Sequence, residues 1–507
     1  MLQALRRPRP LSWGLAGLFA ALYACVAVNR HRRMLTQSYD LGIFEQAVRA
    51  YAHGEAPVVL LKGPGYQLLG DHFHPLLATL APLYRLFPSA VTLLLAQAVL
   101  MALAVVPLAR WAFEVGGPRL TVLVGVLTGA SWGIVEAVAD DFHEIAFAVP
   151  LLAFAATALG RGRPVAAVLW ALPLVLVKED LGLTVAVVGA LVFVRAGKGS
   201  GTRALGFGVA VFGLAATALT VLVVLPSFNP DGGFDYWGQM GTREAAGAPW
   251  ELAGRLVWPP LKWLLLGLAA ATAGFLGLRS PLVLLCVPTL GWRLAADNSH
   301  YWGVSYHYSA VLMPLLLAAL VDAVRRTGAF AGPGRVLARG REAGPDRAAV
   351  RRARRALAVA GLVALVTLPV YPLHELVAPG AWGTSPRLER ARSMLARIPD
   401  GVTVAASNRL AAQLAGRTTV GLVCREPSPP LVESPSVGTL SPGTLSPGTL
   451  AAGVVRGGPE WVVVDLADPS VQAPCAIADT LRMLDRYERL GYRRVVDDGD
   501  LRLLGHP

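Results

Sequence analysis

The sequence predicts an α-helical polytopic membrane protein of about eleven transmembrane helices, with a small C-terminal α/β soluble domain. Three observations carry this. Of 507 residues, 54% are hydrophobic and 16% charged, and the mean hydropathy is +0.51, which leaves too little polar surface to coat a soluble protein of this size. The apolar residues fall in runs of roughly 17 to 23, the length a helix needs to cross about 30 Å of hydrocarbon. Beyond about residue 385 the runs give way to short β-rich segments alternating with helical ones, the pattern of an α/β layer.

The first element is announced by Arg6, Arg7 and Arg9 ahead of the apolar stretch 11–28. This arrangement suits a signal peptide or a signal anchor; bulky Tyr23 spoils the lipoprotein-like Leu22-Tyr23-Ala24-Cys25, so an uncleaved transmembrane helix is expected. Further spans are expected at 90–110, 120–138, 145–160, 164–178, 181–195, 204–226, 259–278, 281–296, 309–324 and 356–373, with 164–178 and 181–195 open to being one long helix. Together they make a polytopic domain over 1–375 with a long first loop, 29–89, in which Leu76 to Phe87 is amphipathic enough to lie along the interface.

The net charge of +13 raises nucleic acid as a partner. Its Lys and Arg residues, however, cluster in short connections between apolar runs, which is a topology signal, and nucleic-acid binding is set aside in favour of membrane lipid. With the N-terminus cytoplasmic, the inner loops collect Arg110, Arg119, Arg161, Arg163, Arg195, Lys198, Arg203, Arg279 and a dense basic loop over 325–355. Arg30, Arg32 and Arg33 are the exception, placed just outside the first helix. The C-terminal domain is then extracytoplasmic in a plasma-membrane protein.

Within 385–507, Val402–Ala406, Thr418–Val423 and Trp461–Leu466 read as strands and Asn408–Ala415 and Ile477–Leu490 as helices. An insert over 426–456, carrying a tandem Ser-Pro-Gly-Thr-Leu repeat in Gly438–Leu450, reads as a flexible surface loop. Of the four cysteines, Cys25 and Cys286 lie in apolar spans; Cys424 and Cys475 can pair if their domain is exported, and are otherwise small buried hydrophobes.

The polar residues that such a chain must explain collect on the outer side of this topology. They are Ser38-Tyr39-Asp40-Leu41-Gly42-Ile43-Phe44-Glu45-Gln46, Gly70-Asp71-His72-Phe73-His74-Pro75, Asp140-Asp141-Phe142-His143-Glu144, Lys178-Glu179-Asp180, His300-Tyr301-Trp302 and Tyr306-His307-Tyr308. Ionisable groups at the edge of hydrocarbon are costly, so they face a cavity or one another. Lys178 with Glu179 or Asp180 is explained by pairing alone as well as by function. Asp71, His72 and His74 have the residue types and close spacing for a divalent metal, or for a phosphate; the aromatic residues at 301–308 equally suit an interfacial belt. Gly129-Ala130-Ser131-Trp132-Gly133 matches the G-x-S-x-G pattern but lies in a predicted span, where close helix packing explains it. Asp498-Gly499-Asp500 mimics a paired-acid transferase motif but reads as a hairpin turn.

The motifs Tyr39-Asp40-Leu41-Gly42-Ile43-Phe44, Gly70-Asp71-His72-Phe73, Asp141-Phe142-His143 and Val177-Lys178-Glu179-Asp180 resemble a bacterial family of predicted polytopic membrane proteins, domain-of-unknown-function family 2079. Ile398-Pro399-Asp400-Gly401 and Val404-Ala405-Ala406-Ser407-Asn408 extend the likeness into the terminal domain. The chain departs from the family pattern at Glu144, where proline is expected, and at His74, where a small residue is expected. The layout is in turn similar to the lipid-dependent glycosyltransferases of the GT-C class, with an acidic residue in a long first outer loop and a soluble terminal domain. That resemblance implies transfer of a sugar from a polyprenyl-phosphate-linked donor at the outer face.

In this reading Asp40 is the base, with Asp71, Glu179 and Asp180 as further catalytic or positioning groups. Lys178, His72, Arg32, Arg33, His143, Tyr39 and His307 bind substrate or its phosphate, and Asp71, His72 and Asp141 are the candidate metal ligands. Two other classes use the same residues differently. A transporter or flippase of a lipid-linked or anionic solute would need the charged cavity without chemistry, although no internal repeat is visible. A membrane scaffold would work through the terminal domain and be indifferent to Asp40, Asp71 and Lys178.

Overall fold

A computed structural model of the chain describes residues 8–230, 232–233, 254–330, 346–424, 458–468 and 475–506. The Ser-Pro-Gly-Thr-Leu insert, most of the connection 227–258 and residues 331–345 of the basic loop lie outside these. The chain forms two compact units.

The first unit comprises Met1–Arg30, Leu69–Leu80 and Val91–Trp382 and is helical. Among the described residues, four helices are long and apolar enough to cross a membrane: Arg9–Arg32, Ala90–Gly129, Gly201–Phe228 and His307–Thr327. Shorter apolar helices span Glu144–Gly160, Pro164–Leu176, Leu181–Arg195, Leu261–Thr272 and Pro281–Ala295. The most apolar window of His307–Thr327 is 94% buried within the protein and that of Gly201–Phe228 only 22%. The former is therefore the unit's core, and the latter leaves an apolar flank that only lipid or another protein can cover.

Local chemistry explains where helices break. The expected spans 90–110 and 120–138 are separated at Gly116 and Gly117, where the backbone leaves helical geometry ahead of Pro118. The second then stops at Gly129 and resumes as Trp132–Ala139. The alternative of one long helix over 164–195 is not what forms. Pro164–Ala171 tightens into a 3₁₀ turn at Leu172–Leu176, which contains Pro173, and the helix Leu181–Arg195 starts after a break. The last helix of the unit begins at Arg347 instead of 356 because the Asp346 carboxylate accepts hydrogen bonds from the amides of Ala348 and Ala349. Arg347 to Arg355, assigned above to the basic loop, are thus helical.

The second unit comprises His31–Leu68, Ala81–Ala90 and Gly383–Pro507. Its five strands, β1 (Thr403–Ala406), β2 (Thr419–Leu422), β3 (Trp461–Asp465), β4 (Arg493–Asp498) and β5 (Leu501–Gly505), are ordered β2-β1-β3-β5-β4. β1 runs parallel to β2 and β3, with Val404 opposite Val420 and Ala405 opposite Val462, and β5 runs antiparallel to β3 and β4. Val462, Val464, Leu504, Leu484, Tyr487 and Tyr492 pack as its core, each large apolar side chain contributing about 1.5–3 kcal/mol by burial. Asp498-Gly499-Asp500 is the β4–β5 hairpin turn, with Gly499 at φ 63°. Cys424 and Cys475 are disulfide-bonded, tying the end of β2 to the start of the helix Ile477–Arg489.

Residues distant in sequence complete this unit. Ser38 donates from its amide and its hydroxyl to Asn408 Oδ1 (2.8 and 2.6 Å), and Gln46 Nε2 donates to the Val420 carbonyl (2.8 Å). Arg49 Nη1 donates to the carbonyls of Ala415 and Thr418 (3.2 and 2.9 Å). The sheet therefore does not stand on 385–507 alone.

Candidate functional site

Within the helical unit, four short segments bring ionisable side chains together: 71–74, 140–144, 178–180 and 307. Each sits where a helix ends or has yet to begin, so its backbone is free of the helical repeat and its side chains can point at a common centre. Lys178 is central. Its ammonium donates to Glu144 Oε1 at 2.6 Å, lies 3.4 Å from His72 Nδ1 and 3.9 Å from Glu179 Oε1. Side-chain exposure is 12% for Lys178, 2% for Glu144 and 7% for Glu179, so the charges are compensated by each other more than by water.

His72 Nδ1 is also 3.3 Å from Glu179 Oε1, while the amide of Phe73 donates to Glu179 Oε2 at 3.2 Å. A proton on His72 Nδ1 serves Glu179; a bare Nδ1 accepts from Lys178. One nitrogen cannot do both at once, so the tautomer of His72 decides which partner it serves. Asp71 Oδ2 lies 4.0 Å from His72 Nε2 on the ring's other side. Asp180 Oδ2 accepts from Trp292 Nε1 at 2.9 Å.

A second group adjoins in sequence. Asp140 Oδ2 accepts from the amide of His307 (2.9 Å) and lies 2.9 Å from His307 Nδ1. The rings of His143 and His307 stack with centroids 3.6 Å apart. Ligand atoms of Asp140, His143 and His307 all lie within 4.8 Å of one another. Among the described residues this trio is where metal-ligand atoms converge; the backbone carbonyl of Asp141 accepts from Gln97 Nε2, and Asp141 takes a left-handed φ of 63°.

The remaining candidates, Arg32, Arg33, Tyr39 and Asp40, belong to the sheet-bearing unit. Asp40 is half-buried in the π-helical turn Ser38–Gly42; Tyr39 beside it carries the Lys62 ammonium 5.1 Å from its ring centroid, and Arg32 is exposed at the end of the first helix. In the same unit Glu45 is buried and accepts from Tyr84 Oη at 3.0 Å; burial pushes its carboxyl up to about 7, against the opposing pull of that hydrogen bond and of Arg49.

Sequence reasoning singled out the segment that carries Asp140 and Glu144 without giving either a role, and missed Trp292 and Gln97 as partners. Glu144 was discounted as a departure from the family pattern, yet it makes the shortest contact to Lys178. His74, the other departure, is wholly buried, and burial pushes its imidazole down to about 4, so it is neutral. The usable signal for Gln97 and Trp292 was an isolated polar donor inside an apolar span, which has to find a partner there.

No curated protein matches the sequence at a significant level. Among solved structures, ArnT from Cupriavidus metallidurans, crystallised bound to undecaprenyl phosphate, aligns with a TM-score of 0.49 at 14% identity, over 97% of this chain and 98% of that one. The family described as Predicted membrane protein (DUF2079) matches residues 30–427, and with most of its length inside that match the chain belongs to this family of membrane proteins.

Proposed function

We propose that the protein is a membrane-embedded glycosyltransferase that moves a sugar from a polyprenyl-phosphate-linked donor to an acceptor hydroxyl. The observation that supports this reading is the Lys178 cluster. It is an ammonium and an imidazole, held by two carboxylates in an apolar helical unit. A departing polyprenyl phosphate needs a cationic donor as its charge grows. Lys178 meets it by exchanging the Glu144 contact for a phosphate oxygen, and His72 supplies a second N–H. Asp71, Glu179 and Asp180 orient these donors, with Arg32, Arg33, Tyr39, His143 and His307 as further substrate contacts.

Asp40 takes the acceptor hydroxyl proton. The sugar carbon–oxygen bond to the donor phosphate breaks as the bond to the acceptor oxygen forms, and the phosphate leaves with the bonding pair. The test is transfer from radiolabelled polyprenyl-phosphate sugars by purified protein in proteoliposomes. Asp40→Asn and Lys178→Met are expected to lower it at least about 100-fold while leaving membrane insertion and gel-filtration profile intact. Transfer at the parental rate in either variant rejects that residue's role. Movement of intact donor lipid across the bilayer without cleavage would replace the reading by a flippase.

A further inference from the structure

We propose that Asp140, His143 and His307 form a binding site for one divalent transition-metal ion of the zinc class, a site independent of whether the protein transfers a sugar. The trio offers one carboxylate and two imidazoles with ligand atoms within 4.8 Å of one another, and nitrogen–oxygen sets of this kind favour Zn²⁺ and its neighbours over Mg²⁺ or Ca²⁺. His143 and His307 are 3% and 8% exposed. Their rings stack with centroids 3.6 Å apart, which brings the two imidazoles to one place.

Supporting contacts hold each ligand in place. Asp140 Oδ2 lies 2.9 Å from His307 Nδ1 and accepts from the His307 backbone amide at 2.9 Å, so the carboxylate and that ring are held side by side. Gln97, itself fully buried, accepts from the amide of His143 at 2.9 Å and donates to the carbonyls of Ala137 and Asp141, so one side chain sets the loop that carries two of the three ligands. The backbone is bent to the same end on both segments. Asp141 and Tyr306, neither of them glycine, take φ values of 63° and 65° immediately beside Asp140 and His307, a conformation that surrounding structure must enforce.

The test uses full-length protein purified on a histidine-free tag, stripped with chelator and titrated with Co²⁺, read by its visible d–d absorption and by metal analysis after desalting. One equivalent is expected to bind and to be displaced by Zn²⁺. His143→Ala and His307→Ala are expected to abolish the signal. His300→Ala, which removes an exposed histidine close in sequence, is expected to leave it unchanged. Should the alanine variants fail to fold by gel filtration, Asp140→Asn decides, because the amide keeps an acceptor for the His307 amide and removes the anionic ligand; a tenfold or greater loss of Co²⁺ affinity is expected. No stoichiometric binding by the parent protein, or equal binding by folded variants, overturns the site.

Discussion

Single side chains show most directly how much this protein spends on placing charge away from water. Glu45 is 1% exposed, with Tyr84 as its hydrogen-bond donor and a carboxyl raised by burial to about 7. In the unfolded chain it titrates near the ordinary value of about 4.3. Because the folded pKa lies above the unfolded one, the folded form holds the proton more tightly. The contribution to stability is full below about pH 4 and is lost as pH rises towards 7, by roughly 3 kcal/mol at most. Melting temperature in detergent is therefore expected to fall between pH 5 and 7.5 more steeply in the parent than in Glu45→Gln. Parallel pH profiles would show that Glu45 does not titrate in that range. The residue scale is also where sequence reading stopped. That Lys178, His72 and Glu179 need partners was legible from their apolar surroundings, but the approach of His307 to Asp140 joins residues 167 positions apart, and neither it nor the left-handed backbone at the non-glycine Asp141 is revealed by a residue pattern.

Helices Leu181–Arg195 and Gly201–Leu219 illustrate the element scale, where small residues replace the hydrophobic effect that lipid cannot supply between helices. A side-chain carbon on Gly189 would lie 2.7 Å from the Gly206 carbonyl oxygen, and one on Gly206 would lie 2.8 Å from that of Gly189. The two backbones touch at this level, and Gly182 and Gly213 repeat the contact one stretch along. Gly189→Val is expected to force the helices apart and to lower the yield of monodisperse protein several-fold, whereas Gly208→Val, where the space is open, is expected to be tolerated; equal yields would show that the pair packs elsewhere. Hydropathy located both helices because their apolar runs are continuous. It ran through breaks in others: the helix that ends at Gly129 resumes at Trp132 inside the expected span 120–138, and the 3₁₀ turn Leu172–Leu176 with Pro173 lies inside 164–178, local backbone effects that a window average does not register.

At the scale of the whole chain, membrane character follows from composition and the family membership agrees with it. The strands β1 to β3 and the hairpin were legible because alternation and turn residues are local signals. The recruitment of His31–Leu68 and Ala81–Ala90 to the sheet-bearing unit was not, because it depends on pairings between residues more than three hundred positions apart, such as Ser38 with Asn408. A fragment beginning at Gly383 is accordingly expected to be unstable when made alone: it loses the partners of Asn408, Val420 and Thr418 and uncovers the apolar surface they shield. A soluble, protease-resistant monomer from that fragment would contradict this.

The same discontinuity constrains how the protein is made. A ribosome adding about 5–20 residues per second delivers residues 31–90 many seconds, on the order of 15–60 s, before their counterparts beyond 383 emerge. During that interval Glu45, Gln46 and Arg49 have none of their late-arriving neighbours, so the early segment depends on a chaperone, on lipid or on the translocation machinery until the last quarter of the polypeptide arrives.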